Sequence, residues 1–311
     1  MHTIFMGTPD FAVPTLELLY NSGQQILAVV TRPDRPKGRH LRLQAPPVKI
    51  FALEKNLPVF QPTGLSDQSF KGSLLNLGAE VIVVVAYGKI IPQWILTMPP
   101  YGCINIHASL LPKYRGAAPI QRALMNGCAQ TGVTTMLLDE GMDTGDILLQ
   151  SKIQIGSDDT AGVLGEKLAQ AGAGLLLETL EGLAKDRISP HKQDENSASY
   201  APKIEKGEAL LEWSKPASQL KDLIRALNPH PGAYTFFQGK RLKVFEARID
   251  KRAEGSQLQP GTVIDLEKDG IVVASADYPL VLNVVQPENK RKMNADEFLR
   301  GHQVAVETQL G

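Results

Sequence analysis

Short β-branched and aliphatic runs alternate with helical stripes through the first half of the chain, and that alternation predicts most of its elements. Thr3-Ile4-Phe5-Met6 predicts a strand, and Gly7-Thr8-Pro9-Asp10 a tight turn into a helix whose apolar face carries Phe11, Leu16 and Leu19. A second strand is expected over 26–31 and a helix over 46–56. Val81-Ile82-Val83-Val84-Val85-Ala86 is apolar on both faces, as expected for a central parallel strand covered on each side. Cys103-Ile104-Asn105-Ile106-His107 predicts a further strand, and Leu164, Leu168, Leu175, Leu176, Leu180 and Leu183 mark one long helix. This order predicts an α/β fold built on a Rossmann-like, doubly wound parallel sheet.

After residue 188 the pattern changes. Residues 189–206 are polar, carry Pro190 and Pro202, and are expected to form an interdomain linker. Beyond them Leu220, Leu223, Ile224 and Leu227 recur at helical spacing until Asn228-Pro229 ends the helix. Short runs at 234–237, 242–245, 261–264, 271–274 and 280–285, broken by Gly or Pro, predict a small OB-like β-barrel. The expected division is a Rossmann-like catalytic domain over 1–188, a linker over 189–206 and an OB-like domain over 207–311.

Composition narrows the class without naming a function. Of the 311 residues, 43% are hydrophobic and 21% charged, which excludes disordered and collagen-like chains. The apolar run at 81–86 is far short of the roughly 20 residues a membrane helix needs. The first seven residues lack the basic start of a secretory signal. Cys103 and Cys128 cannot build a disulfide framework and are expected as reduced thiols of a cytoplasmic protein. Lys plus Arg, 33, equals Asp plus Glu, 33, so a polyanionic partner would have to be met by local patches.

Three stretches offer chemistry. Asn105 and His107 share one face of their strand because side chains alternate, and they lie at its C-terminal end, where open α/β sheets form their crevice. A structural histidine packed beside an asparagine is an equally good reading of that pair alone. The acidic stretch Asp139-Glu140-Gly141-Met142-Asp143-Thr144-Gly145-Asp146 can bend tightly at its glycines and present Asp143 at an apex. A solvated acidic turn or a cation loop competes, although the glycines miss the EF-hand positions. Ser109-Leu110-Leu111-Pro112 leads into Arg115-Gly116-Ala117-Ala118-Pro119 and should wall the same crevice, or else serve as a packed crossover. No G-x-G-x-x-G or P-loop pattern occurs, and the six histidines and two cysteines have no zinc spacing, so no metal is expected.

Together, Asn105-x-His107, the run from Ser109 to Pro119 and Asp143-Thr144-Gly145-Asp146 resemble the folate-dependent formyltransferases. Gly7-Thr8-Pro9-Asp10-Phe11-Ala12, Val84-Val85-Ala86-Tyr87-Gly88 and Arg32-Pro33-Asp34-Arg35-Pro36-Lys37-Gly38-Arg39 narrow the match to members acting on a charged tRNA. The likeness spans nearly the whole chain, strongest to about residue 155. The resemblance implies 10-formyltetrahydrofolate as cosubstrate and methionyl initiator tRNA as acceptor, joined by direct attack of the α-amine on the formyl carbon. It implies Asn105 as donor to the developing oxyanion, His107 in proton transfer, and Asp143 orienting the imidazole and favouring its protonated form. It implies folate contacts from Ser109, Leu110, Leu111 and Pro112 and from Ala86, Tyr87, Gly88 and Ile90.

Between Arg32 and Lys49 the chain carries six basic residues against one acid, Asp34, with prolines and Gly38 breaking regular structure. A mobile basic loop beside the crevice is expected, with Arg35, Lys37, Arg39 and Arg42 contacting tRNA in a salt-sensitive way. His40-Leu41-Arg42 departs from the usual family pattern of glycine and further lysines. Lys203 and Lys206 are added as RNA contacts, and the C-terminal domain is expected to bind tRNA, by analogy with its fold. A monomer is expected. Glycinamide ribonucleotide or a sugar-nucleotide amine as acceptor, hydrolysis of the formyl donor, and a non-catalytic RNA-binding module are the competing readings.

Overall fold

The computed structural model describes residues 1–37, 42–251 and 259–311. Contacts divide the chain into two units: 1–119, 130–154 and 165–201 form one, and 120–129, 155–164 and 202–311 the other. Two short segments of the first half thus belong with the C-terminal unit.

The first unit is built on a seven-stranded sheet. Its elements begin with β1 (His2–Gly7), α1 (Val13–Asn21) and β2 (Gln25–Val30), followed by the hairpin strands β3 (Arg35–Lys37) and β4 (Arg42–Gln44). Next come α2 (Pro47–Glu54), β5 (Val59–Phe60), α3 (Gln68–Leu75), β6 (Val81–Val85), α4 (Gln93–Leu96) and β7 (Cys103–His107). Helix α5 (Pro119–Met125), β8 (Gln130–Leu137), β9 (Ile147–Gln154) and α6 (Ala161–Ala184) complete the first half. The sheet order is β5-β2-β1-β6-β7-β8-β9. Strands β5 to β7 in this order run parallel, whereas β8 pairs antiparallel with β7, and β9 with β8. The parallel sheet expected from the sequence is therefore extended by an antiparallel edge. Strand β6 is buried along its whole length, as its double-sided apolar run requires.

The core on one face joins Ile104 and Ile106 of β7 to Leu176 and Leu180 of α6. A Cβ at Gly172 would stand 2.7 Å from the Ile106 side chain, so the bare glycine lets α6 close onto β7. The alternation of β7 then turns Asn105 and His107 to the opposite face. Chain order reverses between β1 and β6, the switch point at which such sheets open a crevice. There the Thr8 hydroxyl donates to the Tyr87 carbonyl at 3.1 Å.

The second unit holds α7 (Ala217–Ala226), the strands β10 (Ala233–Phe237), β11 (Lys240–Ile249), β12 (Val263–Glu267), β13 (Gly270–Val273), β14 (Leu280–Pro287) and β15 (Met293–Asn294), and α8 (Ala295–Gly301). The strands form one antiparallel sheet in the order β10-β11-β14-β13-β12, with β15 on β14. Leu220 and Ile224 of α7 pack with Leu242, Val244 and Leu282 in its core. Pro216 at the start of α7 has no side-chain donor or acceptor to offer, and the first helical N–H, on Ala217, is instead capped by Asp277 at 2.7 Å.

Among the described residues no helix is long and apolar enough to cross a membrane, and no group of three or more His, Cys, Asp or Glu side chains is arranged to hold a metal. Neither cysteine forms a disulfide among the described residues, and burial pushes the Cys103 thiol up to about 12.

Candidate active site

The end of β7, the 108–118 loop and the 138–146 turn bring Asn105, His107 and Asp143 together. His107 is buried, and its Nε2 lies 2.9 Å from the Tyr114 carbonyl. A carbonyl only accepts, so Nε2 carries the proton. On the other side Nδ1 lies 3.5 Å from Asp143 Oδ2. That separation exceeds an ordinary N–H···O bond, as catalytic contacts often do before substrate binds. Asp143 Oδ2 also accepts from the Gly116 N–H at 2.8 Å. Asn105 is half-buried two residues before His107, and its carboxamide makes no hydrogen bond among the described residues. Asp143 Oδ1 is likewise unpartnered.

The backbone is unusual at the same place. Ala86, Tyr114 and Asp143 have φ of 48°, 60° and 55°, the left-handed region that side chains disfavour. Gly116 has φ of 116°, and a Cβ there would meet the Ala201 carbonyl oxygen at 2.9 Å, so only glycine presents this N–H to Asp143. Such residues persist where surrounding structure over-determines them, and they gather at functional sites.

The loop after β7 is fixed by its own polar groups. Ser109 is fully buried, with Oγ donating to the Lys113 carbonyl at 2.6 Å. The Thr134 hydroxyl donates to the Ser109 carbonyl at 2.7 Å and accepts from the Leu111 N–H at 3.2 Å. Gln150 donates to the Leu111 carbonyl and to Thr134 Oγ1, both at 2.9 Å. The carbonyls of Leu110 and Pro112 accept from Lys113 and Ser199. Leu110 packs its side chain under Gly132. Ser109 to Pro112 therefore stand as a rigid wall.

The segment after β6, 86–90, is more open. Ala86 and Gly88 are exposed and Ile90 is 91% exposed. Tyr87 differs from its neighbours, for it is only 1% exposed and its ring packs into the core. Its hydroxyl has no partner, and burial pushes its pKa up against the opposing charge of Arg32. Beside this edge a cavity of about 750 Å³ is bounded by Thr8, Asp10, Arg32, Arg35, Gln44 and Ile50, among others.

On either side of 38–41, which lie outside the described residues, the basic stretch forms strands that its prolines do not suggest. β3 and β4 pair antiparallel, Arg35 opposite Gln44 and Lys37 opposite Arg42. Arg35 is exposed, and Arg39 lies outside the described residues. Asp34 is spoken for: hydrogen bonds from Gln61 and Lys49 hold its carboxyl below the usual range. Lys203 and Lys206 are exposed in the second unit.

Sequence reasoning missed the residues behind the site. Gln193, Glu195, Ser199 and Ala201 fall in the stretch expected to be a linker, yet 191–201 is laced into the first unit. Ser199 Oγ accepts from the Tyr114 N–H, the Ser199 carbonyl from the Arg115 N–H, and the Arg115 carbonyl from the Ala201 N–H. No periodicity marks such a segment. Its pairing with 112–118 arises only on folding.

Comparison with known proteins now decides the family. Residues 1–180 match the family described as formyl transferase, and 203–303 match the formyl transferase C-terminal domain. The methionyl-tRNA formyltransferase of Desulfotalea psychrophila is 47% identical over 310 residues, covering 100% of this chain and 95% of that one. This chain belongs to the methionyl-tRNA formyltransferase family. The family member from Desulforamulus reducens is 46% identical over 311 residues, covering 100% and 98%. In fold alone, the chain is similar to WlaRD, a sugar 3N-formyltransferase solved in the presence of dTDP and 5-N-formyl-THF. That likeness has a TM-score of 0.67 at 19% identity and covers 94% of this chain and 99% of that one.

Proposed function

We propose that this protein transfers the formyl group of 10-formyltetrahydrofolate to the α-amine of methionyl initiator tRNA, for translation initiation. The observation that carries the chemistry is the strand end itself: an unpartnered carboxamide, Asn105, beside a histidine flanked by a carboxylate. Family membership at 46–47% identity over the whole chain supports the acceptor.

The reaction needs few groups. Free α-amines titrate near 7.7–8.0, so a useful fraction of the amine is neutral at physiological pH. Its lone pair forms the new C–N bond while the carbonyl pair moves onto oxygen. Asn105 donates to that oxygen, and a preorganised donor of this kind lowers the barrier by roughly 2.7–4 kcal/mol. His107 supplies a second donor once its Nε2–H turns from the Tyr114 carbonyl to that oxygen, and with it a path for the proton. The free Oδ1 of Asp143 can take the proton the amine sheds. The bond from carbon to the folate nitrogen then breaks, and that nitrogen leaves with one proton. One proton moves from amine to leaving group overall, and no bond to the enzyme forms.

In this reading folate lies along Ala86 to Ile90, where buried Tyr87 supports the edge from beneath, and Ser109 to Pro112 form a second wall. Arg35, Lys37, Arg39 and Arg42 engage the acceptor arm, with Lys203, Lys206 and the C-terminal unit adding phosphate contacts that weaken with salt. In this reading the enzyme works as a monomer. The substrate, a charged tRNA, is met in the cytoplasm.

The test supplies 10-formyltetrahydrofolate with charged initiator tRNA, charged elongator tRNA, glycinamide ribonucleotide or an amino-sugar nucleotide. Formylation of the first alone is expected. Transfer to a small-molecule amine in preference to the tRNA would overturn the assignment.

A further inference from the structure

Behind Asp143 a side-chain relay runs through half-buried Gln193 and buried Arg115 to exposed Glu195. Gln193 Nε2 donates to the carbonyls of Asp143 and Gly145, each at 2.8 Å. Its Oε1 accepts from Nε and Nη2 of Arg115 at 3.0 and 2.8 Å. Arg115 is fully buried, and Glu195 takes its other donors, Nη1 at 2.9 Å and Nη2 at 2.7 Å. Guanidinium only donates and a carbonyl only accepts, so the amide orientation of Gln193 is forced from both sides.

The relay ends on a strained turn. Asp143 sits at φ 55°, and its carboxylate is useful only while it faces both His107 Nδ1 and the Gly116 N–H. Gly116 follows Arg115 directly in the chain. One buried cation thus anchors the residue before the Asp143 donor and, through Gln193, the backbone of Asp143 itself. A glutamine between a guanidinium and two carbonyls satisfies both without adding charge. A carboxylate would lack the donors, and an aliphatic side chain would lack everything.

We propose that Gln193 is a positioning residue, fixing the 143–145 turn so that the Asp143 carboxylate stays against His107. The assignment of a catalytic purpose rests on the formyl-transfer reading; the placement does not. Two variants of the full chain test it. Gln193→Glu keeps an acceptor for Arg115 and removes both donors, and Gln193→Leu does the same to the donors without a new charge. Each is expected to lower kcat about 10-fold or more with KM for both substrates within about twofold. Each should also speed hydrogen exchange at the Gly116 amide by about 10-fold, a readout that needs no turnover. In an Asp143→Ala background, Gln193→Leu should cost nothing further, because both changes act through one group.

Unchanged Gly116 exchange in both variants would overturn the placement, and so would kcat losses that add in the double variant. Should Gln193→Leu fail to fold, Gln193→Glu decides, since it preserves the Arg115 contacts. Should the wild type fail to formylate methionyl-tRNA, the functional reading falls while the exchange measurement still judges the relay.

Discussion

Asn105 and Ser109 stand four residues apart on one stretch of chain and spend their hydrogen-bonding capacity in opposite ways. Asn105, at the strand end, has a carboxamide with nothing to bind among the described residues. Ser109 is wholly buried, and its hydroxyl and carbonyl are both engaged. A half-buried carboxamide held by no neighbour can turn to a ligand without breaking an intramolecular bond. A spent group marks the scaffold that holds the strand end still. The comparison separates two roles that the motif alone runs together.

Its sharpest consequence concerns the free side chain. Asn105→Ala should lower kcat by about 10²–10³-fold, the usual loss for one preorganised oxyanion donor. Thermal stability should stay at the wild-type level, because no intramolecular bond is lost. Retained turnover within a fewfold of wild type, measured with saturating donor and acceptor, would erase the distinction from Ser109.

The wall predicts the reverse pattern. Thr134 serves three groups of the loop and β9 with a single hydroxyl. Thr134→Val leaves the Ser109 carbonyl and the Leu111 N–H buried and unpaired, which should cost roughly 2–4 kcal/mol in denaturant unfolding. Ser109→Ala removes one bond and should cost about 1 kcal/mol. Both variants should keep KM for the folate donor within about twofold where folded. A large rise in that KM for Ser109→Ala with unchanged stability would show that the serine meets the ligand after all.

The same distinction explains what the sequence could and could not reveal. The β7 strand was legible to the residue because apolar and polar positions alternate cleanly from Cys103 to His107. The long helix was legible too, as its leucines all lie inside Ala161–Ala184, apart from the polar ends. Strand β9 carries its own alternating burial, yet that signal sits next to the acidic turn and went unread beside it. The hairpin of β3 and β4 contradicted its prolines because cross-strand pairing, absent from local propensity, settles the matter. Arg115 could not be recognised as buried, since nothing local tells an arginine in a surface loop from one whose charge is met by Glu195, eighty residues on. Side chains that present chemistry carry a motif; those that hold them in place are defined by tertiary neighbours.

Glu195 offers the smallest and cleanest refinement. Hydrogen bonds from Arg115 hold its carboxyl below the ordinary glutamate range. A carboxyl whose folded-state pKa is depressed contributes stability that is fully present above its unfolded value, near 4.3, and is lost as pH falls through the folded value. Wild-type unfolding midpoints should therefore drop on acidification below about pH 4.3. Glu195→Gln cannot titrate and should show a shallower acid limb, with midpoints at pH 7 only slightly reduced because the pair is partly solvent-screened. Arg115 would keep Gln193 as its partner, so kcat at neutral pH should hold near wild type. If the acid limbs of the two proteins coincide, Glu195 is a bystander, and the fixed side of the comparison ends at Gln193.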